Sequence, residues 1–345
     1  MRRAAAKRPR RRARAGEPAA DPFREQRPCT QQLRLSVLGA RFHFESDSAS
    51  LLRLVRHACA RLPPHLFGAR APRLSVRLIV TPAATSATPA LVQAIGTAGI
   101  LAAATAGSAL MAVVPQERRA LVALPPALLR FPYHVRYELI EFAAYMLAAR
   151  TQGLVPLHGA CVGQGGAGAL LLGGSGAGKS TLALQSLLTG LEFVAEDSVL
   201  VRPAGLKATG LASFLHVRPD SLRFVSDKAR RRALQGAPVI RRRSGVRKLE
   251  IDLREGGFRL ARTPLPLRVL IFLSPAPAGA VAMLRRLTPA DAMTRLASGQ
   301  AYGAGQSGWR PFARAAARLP AFELRRAEPL QQVGALRELL ARVGR

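Results

Sequence analysis

The sequence predicts an α/β fold, because short apolar strand patterns alternate with helical patterns along most of its 345 residues. Two stretches carry this prediction. Apolar and polar residues alternate over 73–80, which is typical of a half-buried strand. The apolar run 169–172 continues into a glycine-rich turn and then into a helical pattern from Thr181. A strand, a turn and a helix in direct succession are typical of α/β domains.

Composition divides the sequence into three regions. Residues 1–30 are rich in Arg, Ala and Pro, lack apolar periodicity, and are expected to be disordered. Residues 31–150 have the patterns of a small α/β N-terminal domain with no catalytic constellation, so we expect it to serve substrate docking or assembly. Residues 151–345 form the second domain, which contains the motifs described below.

The N-terminal domain is expected to begin with a β-hairpin, in which alternating apolar residues from Leu33 precede and follow Gly39. Ser48 then caps a helix. The apolar face of that helix is formed by Leu51, Leu52, Val55, Ala58 and Leu62. The half-buried strand over 73–80 comes next.

Residues 91–114 carry no charge and are long enough to cross a bilayer. The segment is rich in Gly, Ala, Thr and Ser and includes Gln93, all of which disfavour insertion compared with a span of large apolar residues. We therefore interpret it as a helix of small residues or a pair of strands, and a membrane is not an expected partner.

Three further elements follow. A helical pattern runs from Pro132 to Gly153, and we interpret its tyrosines as packing residues: Tyr133, Tyr137 and Tyr145. A buried strand is expected over 267–273. The sequence ends in an amphipathic helix, which either packs on the core or joins subunits, so homo-oligomer formation stays an open alternative.

The run from Gly173 to Thr181 matches the whole G-x-x-x-x-G-K-[ST] pattern of a phosphate-binding loop, in the required strand–loop–helix setting. Glycines let backbone N–H groups approach phosphate oxygens, and the helix N-terminus adds positive potential. Lys179 would reach the β and γ phosphates of ATP, and the Ser180 hydroxyl would hold Mg²⁺. The residues expected to bind the nucleotide are Gly173, Gly174, Ser175, Gly176, Ala177, Gly178, Lys179, Ser180 and Thr181.

Two motifs flank this loop. His158-Gly159 lies upstream, and a strand-like Phe-Val-Ala ending in Glu196-Asp197 lies downstream. Together with the loop, these motifs resemble HPr kinase/phosphorylase, a bacterial serine kinase whose core is similar to ATP-dependent phosphoenolpyruvate carboxykinase. Further stretches at 208–211, 214–224 and 241–253 resemble HPr kinase-related proteins, so the resemblance covers most of the chain from about residue 31.

The resemblance implies a P-loop kinase core of this type over 151–345, and it implies roles for the acidic pair. One carboxylate would support Mg²⁺ and the other would accept the proton of the attacking hydroxyl. The family usually has Asp at the first position, so Glu196 is a departure, and its extra methylene moves the carboxylate by about 1.5 Å. Asp197 is therefore the stronger candidate for the catalytic role. The resemblance also implies that His158 lies near the transferred phosphate, although a lone His is more often structural.

A basic run, Arg241-Arg242-Arg243-Ser244-Gly245, lies between two strand-like stretches and is interpreted as a tight connection. Planar guanidinium groups suit bidentate phosphate contacts. Arg242, Arg243 or Lys248 would then clamp a nucleotide phosphate or the acceptor. A solvated basic turn in an Arg-rich protein is an equally good interpretation.

The formal net charge of +32 would ordinarily indicate nucleic acid as a partner, but its distribution argues against this. Arg supplies nearly all of the charge, eight cationic residues fall within residues 1–16, and no aromatic residues alternate with them. The three cysteines include no C-x-x-C pair, and the basic N-terminus is not followed by the apolar region of a signal peptide. These features predict a cytoplasmic protein.

The sequence therefore predicts an ATP- and Mg²⁺-dependent kinase that phosphorylates a hydroxyl, with a serine of a protein or peptide favoured as the acceptor. The catalytic candidates are His158, Lys179, Glu196 and Asp197, and the metal candidates are Ser180, Glu196 and Asp197. A nucleotide-binding regulatory module without turnover, a small-molecule kinase and a protein held at nucleic acid or a membrane surface by its basic tail stay open as alternatives.

Overall fold

The computed structural model describes residues 29–81, 89–97, 99–105, 109–242, 245–279 and 282–344. Within these residues the chain is a mixed α/β protein with three β-sheets. The predicted α/β class is therefore confirmed. The expectation for the basic N-terminal tail falls almost wholly on residues 1–28, which lie outside the described residues.

The N-terminal sheet is mixed and has the spatial order β1-β2-β3-β7-β6-β5-β4. Its strands are β1 (Gln31–Val37), β2 (Ala40–Ser46), β3 (Arg73–Val80), β4 (Val92–Thr97), β5 (Ile100–Thr105), β6 (Ala109–Val114) and β7 (Arg119–Leu124). The expected hairpin is β1–β2, and the expected half-buried strand is β3. Both predictions are confirmed.

Helix α1 (Ala49–Cys59) packs on this sheet. The Ser48 side chain accepts a hydrogen bond from Leu51 N at 3.4 Å, so the predicted cap is confirmed. The helix is shorter than expected: it ends at Cys59, and Leu62 packs against the core from the connection that follows.

The uncharged segment 91–114, within its described residues, forms the strands β4, β5 and β6 instead of a helix. In β5 and β6 one side of each strand is buried while the other side is exposed, which is the two-residue periodicity of a sheet with one open face. Among the described residues, no helix is both long enough and apolar enough to cross a membrane.

A continuous helical segment over 132–152 crosses from the N-terminal sheet towards the second sheet. It consists of α2 (Pro132–His134), a π-helical stretch (Val135–Glu141) and α3 (Phe142–Gln152). It carries three tyrosines, and we call it the aromatic helix. Gly153 ends it in a left-handed conformation at φ 62°. A π-helical stretch inside a longer helix often marks a functional site.

The second sheet is also mixed, and β10, β17 and β19 run parallel at its centre. Its strands are β8 (Val155–Leu157), β9 (Ala160–Gln164), β10 (Ala167–Leu172), β11 (Glu192–Ala195), β12 (Val199–Arg202), β13 (Lys207–Thr209), β17 (Leu265–Pro277), β18 (Leu284–Arg286) and β19 (Ala321–Arg326). A third, antiparallel sheet contains β14 (Phe214–Val217), β15 (Val239–Arg241) and β16 (Arg247–Asp252).

Among the described residues, the remaining α-helices all follow β10 in the chain. They are α4 (Lys179–Leu188), α5 (Lys228–Gln235), α6 (Pro289–Gly299), α7 (Ala301–Ala304), α8 (Trp309–Ala316) and α9 (Pro329–Val343), with short 3₁₀ helices at Pro126–Arg130, Ala204–Leu206 and Pro219–Phe224. The C-terminal helix α9 packs against α4 and the central strands, so its apolar face belongs to the core.

Side chains and backbone groups tie the two halves of the chain together near the end of α1. The buried His65 ring contacts Thr209 Oγ1 at 2.9 Å and the Ala261 carbonyl oxygen at 2.7 Å. Ser213 donates a hydrogen bond to the Ala58 carbonyl oxygen, and Arg254 donates one to that of Ala60 at 3.2 Å. These contacts fix α1, which packs against the π-helical stretch of the aromatic helix, to the second half of the chain.

Candidate functional site

The glycine-rich loop lies between β10 and α4. Gly176 and Gly178 have φ values of 82° and 98°, a region that residues with a Cβ rarely adopt. Gly178 directly precedes α4, so the loop delivers the chain to the N-terminus of that helix. Its exposed N–H groups and the positive end of the helix together form a surface suited to an anion.

The Lys179 side chain folds back over this loop. Its Nζ donates hydrogen bonds to the Gly173 carbonyl oxygen at 2.6 Å and to the Gly174 carbonyl oxygen at 3.1 Å. Burial lowers the pKa of Lys179, whereas the nearby carboxylates of the acidic pair favour its charged form. The ammonium group is thus held at the loop by two carbonyl oxygens. A bound phosphate group would replace these oxygens as its hydrogen-bond acceptor.

The first turn of α4 touches the acidic pair. Ser180 Oγ donates a hydrogen bond to Glu196 Oε1 across 2.5 Å. The next residue, Thr181, shares a 3.0 Å hydrogen bond with Ser221. The predicted proximity of the loop and the acidic pair at the carboxyl ends of β10 and β11 is therefore present in the structure.

Asp197 sits in a tight turn after β11, with a left-handed φ of 72°. Its Oδ2 accepts hydrogen bonds from the Tyr137 hydroxyl at 2.7 Å and from Arg242 at 2.9 Å. His158 Nδ1 lies 3.3 Å from Oδ1 and 3.0 Å from the Asp197 carbonyl oxygen. Three side chains from distant parts of the chain thus fix one carboxylate.

These partners decide the protonation state of Asp197. Burial alone would raise its pKa, but Arg242, Tyr137 and His158 outweigh burial and hold the pKa well below its usual range. Asp197 is therefore ionised at neutral pH. Such a carboxylate is a strong hydrogen-bond acceptor but a weak base.

The Glu196 side chain is buried, and its neighbours differ from those of Asp197. Burial disfavours its charged form, yet His216 and Lys248 outweigh burial and lower its pKa. Its Oε2 lies 3.8 Å from His216 Nδ1. Burial lowers the pKa of Lys248, which interacts electrostatically with both carboxylates of the acidic pair.

His216 connects Glu196 to a deeper buried network. Its Nε2 lies 3.1 Å from Glu250 Oε1, which also accepts a hydrogen bond from Arg136. Arg136 in turn donates to Glu141 at 3.0 Å. Burial opposes the charged form of His216, but the two carboxylates on either side raise its pKa. The network therefore contains alternating charges that compensate one another inside the protein.

The backbone of His158 is clamped by one side chain. Gln300 Oε1 accepts a hydrogen bond from His158 N at 2.6 Å, and Gln300 Nε2 donates one to the His158 carbonyl oxygen at 2.9 Å. Gln300 is 6 % exposed, whereas the His158 side chain is 51 % exposed. The imidazole is thus presented to solvent from a backbone held on both sides.

Three residues of this arrangement are not predicted from the sequence. The interpretation of Tyr137 as a packing residue is wrong in part: it stacks on Tyr133, but its hydroxyl binds Asp197. The partners of His216 and Gln300 lie far away in sequence. The one local signal for His216 is its place as a polar residue in the otherwise apolar strand β14, and nothing near Gln300 marks it.

The basic connection between β15 and β16 is confirmed as a tight antiparallel link. Arg242 pairs with Asp197, while its Nε and its second terminal nitrogen are buried and find no hydrogen-bond partner among the described residues. Arg243 lies outside the described residues.

The oxygens at the end of β11 fit a magnesium ion that keeps most of its ligands as water and phosphate. Ser180 Oγ and Glu196 Oε1 converge, with the Asp197 carboxylate next along the chain. Among the described residues there is no group of three or more His, Cys, Asp or Glu side chains that could hold a metal by itself. Mg²⁺ in phosphoryl-transfer sites commonly takes one or two carboxylates and completes its shell with phosphates and water.

A cavity of about 450 Å³ borders Glu196 of the acidic pair. Tyr137, Glu196 and Arg242 line one side of it, and Val92 and Ala94 of strand β4 line another. The volume lies within the usual range of ligand-binding pockets, about 300–1,000 Å³. The cavity therefore joins the N-terminal sheet to residues that touch the loop and Asp197.

Comparison of the chain with protein-family models gives no match, and comparison with curated proteins gives none.

Proposed function

We propose that this protein is a kinase that transfers the γ-phosphoryl group of ATP to a hydroxyl, with a serine of a protein or peptide as the favoured acceptor. The main support is the 2.5 Å hydrogen bond between Ser180 of the loop and Glu196 of the acidic pair. A phosphate-binding loop in direct contact with buried carboxylates combines anion binding with a metal-binding oxygen set.

Each part of the loop has a role in this proposal. The N–H groups of residues 173–178 and the N-terminus of α4 would bind the phosphates, and Lys179 would turn from the loop carbonyl oxygens to the β and γ phosphates. The resemblance to the core of HPr kinase/phosphorylase and phosphoenolpyruvate carboxykinase supports the same assignment. Phosphoryl transfer depends mainly on such positioning and charge neutralisation.

Ser180 and Glu196, with Asp197 as a further candidate, would hold Mg²⁺. When bound, the ion neutralises negative charge on the phosphates during transfer. The longer Glu196 side chain, which departs from the Asp usual in the family, reaches Ser180 directly, so its length suits a metal-binding role at this position.

Asp197 would orient the acceptor hydroxyl by accepting its hydrogen bond. The hydroxyl oxygen forms a bond to the γ phosphorus as the bond to the bridging oxygen breaks, ADP leaves, and the hydroxyl proton passes to Asp197. In a loose transition state the proton leaves late, when the oxygen has lost most of its basicity. A weakly basic but firmly oriented carboxylate is adequate for this step, which agrees with the lowered pKa of Asp197.

His158, 3.3 Å from Asp197 Oδ1, would hold that carboxylate from the side opposite Tyr137 and Arg242. The resemblance implies a His near the transferred phosphate at this position in the sequence, which supports the same assignment. Gln300 would act as a positioning residue through the His158 backbone.

Binding and turnover of labelled ATP with Mg²⁺ test this proposal, with Lys179→Ala compared with Lys207→Ala. Lys207 is exposed on β13 and serves as a control for the loss of one positive charge. We expect Lys179→Ala to lose at least about a hundredfold in turnover, as expected for loss of a charge on the transferring phosphate. Wild-type protein that binds no ATP, or a Lys179→Ala variant with normal turnover, would contradict the proposal.

A further inference from the structure

Strand β4 is an unprotected sheet edge. Within the described residues it pairs with β5 alone and ends the N-terminal sheet. None of residues 91–105 is charged, although the chain has a net charge of +32. Proteins usually protect an edge strand with charges, proline or a bulge, and an unprotected one is a ready site for another strand.

Apolar residues are exposed at this edge of the sheet. Leu91 is 51 % exposed, Ile95 71 % and Ile100 39 %. Ile95 and Ile100 lie on the outer face of the β4–β5 hairpin. A strand that pairs with β4 would find the apolar Ile95 on this outer face, and Val92 and Ala94 on the opposite face.

The pairing register shows which backbone groups of β4 are available. Thr97 and Ile100 are paired with each other and are separated by two residues in the sequence. In such a hairpin the closing pair exchanges both hydrogen bonds, and the pattern alternates along the strands. The N–H and C=O groups of Val92, Ala94 and Gly96 therefore point away from β5, towards the open edge.

The same strand borders the cavity beside the acidic pair. The side chains of Val92 and Ala94 line that cavity, and so do Tyr137, Glu196 and Arg242. A strand added to β4 would thus lie along the cavity, with its inward side chains directed at residues that contact Asp197 and the phosphate-binding loop.

We infer that β4 is the docking strand for the phospho-acceptor, and that the acceptor is an extended serine-bearing segment of an acidic protein or peptide, apolar at alternate positions. This inference rests on the proposed kinase function. The segment adds to the sheet through the backbone of β4 and places its serine in the cavity. Charge favours this occupant over a second copy, because two copies of net charge +32 repel each other whereas an acidic chain is attracted.

Two matched pairs of variants test the inference. Ala94→Pro removes an outward N–H, and proline is tolerated at such edge positions, whereas Ala94→Ser keeps the N–H at nearly the same volume. Ile95→Glu introduces a negative charge at the edge, which repels an acidic segment. Leu110→Glu introduces the same charge on the same face of β6, two strands from the edge, where Leu110 is 49 % exposed.

The probes are short acidic synthetic peptides with a central serine and apolar residues at alternate positions, together with free serine as a small-molecule acceptor. We expect the wild-type protein to phosphorylate the peptides. Ala94→Pro should raise the KM for peptide about tenfold through lost strand hydrogen bonds, and Ile95→Glu about threefold through lost cross-strand contact and repulsion of the acidic peptide. Leu110→Glu and the KM for ATP should match wild type, whereas Ala94→Ser should keep a peptide KM well below that of Ala94→Pro because it keeps the N–H.

Three results would overturn the inference. Equal peptide KM values for Ala94→Pro and Ala94→Ser, with Ile95→Glu equal to Leu110→Glu, would mean that the acceptor does not pair with β4. Phosphorylation of free serine but of no peptide would assign the cavity to a small molecule. A wild-type dimer that Ala94→Pro converts to a monomer would assign the edge to a second copy. Absence of ATP binding would instead contradict the proposed function on which the inference rests.

Discussion

Tyr137 donates a hydrogen bond from its hydroxyl to Asp197 Oδ2 across 2.7 Å, and this contact joins the aromatic helix to the acidic pair. The same oxygen accepts a hydrogen bond from Arg242 at 2.9 Å. Burial raises the pKa of Tyr137 well above its usual value, and Asp197 raises it further, so the phenol stays protonated and acts only as a donor. The helix that packs under the N-terminal sheet therefore helps to set the direction of a carboxylate in the second domain.

Replacement of this hydroxyl should lower turnover without affecting nucleotide binding. Tyr137→Phe keeps the stacking on Tyr133 but removes one of the donors that fix Asp197. We expect kcat to fall about tenfold, with an unchanged KM for ATP, because the variant loses only the orientation of the acceptor hydroxyl. Tyr133→Phe is the control, since the Tyr133 hydroxyl is buried with no hydrogen-bond partner among the described residues. Equal kcat values for the two variants would contradict this role.

Gln300 offers a second test, because it acts on His158 through the backbone. Gln300→Ala removes the hydrogen bonds at 2.6 and 2.9 Å that hold the N–H and the carbonyl of His158. We expect kcat to fall about tenfold as the imidazole loses its fixed place beside Asp197. Gln306→Ala is the control, since the Gln306 side chain donates a hydrogen bond to the nearby Tyr302 carbonyl oxygen and has no such contact with His158. A wild-type kcat for Gln300→Ala would contradict the positioning role of Gln300.

The buried His216 predicts a pH dependence of stability. Burial opposes its charged form, but Glu196 and Glu250 raise its pKa above 6.5. A raised folded-state pKa stabilises the fold fully below the unfolded-state pKa, and this stabilisation is lost as the pH rises through the folded-state pKa. Wild type should therefore be more stable than His216→Gln at low pH. The difference between their free energies of unfolding should decrease as the pH rises above about 6.5. Urea denaturation across this pH range measures it, and a pH-independent difference between the two proteins would contradict the assigned charge.

Local patterns predicted the elements that carry the chemistry. The loop from Gly173 and the acidic pair after β11 each follow a short buried strand, and strand ends at one edge of a sheet are brought together by the topology. The cap at Ser48 and the closing helix α9 were equally visible, because capping and helical periodicity are properties of consecutive residues.

Contacts between distant residues could not be predicted in the same way. Tyr137 and Asp197 are far apart in sequence, and nothing near Tyr137 distinguishes a packing tyrosine from one that donates to a carboxylate. Gln300 contacts His158 only because α6 and α7 fold against β8. The small residues of 91–114 allowed both helix and strands, and pairing with β7 decided the outcome.

Transfer of the labelled γ-phosphoryl group from ATP, compared between wild type and Asp197→Asn, tests the central claim most directly. The substitution keeps the shape of the side chain and removes its charge, while Lys179, Ser180 and Glu196 stay in place, so the variant should still bind ATP with Mg²⁺. We expect wild type to label a serine acceptor, and we expect Asp197→Asn to do so at least about a hundredfold more slowly. An Asp197→Asn variant that transfers label at the wild-type rate would contradict the account of the acidic pair.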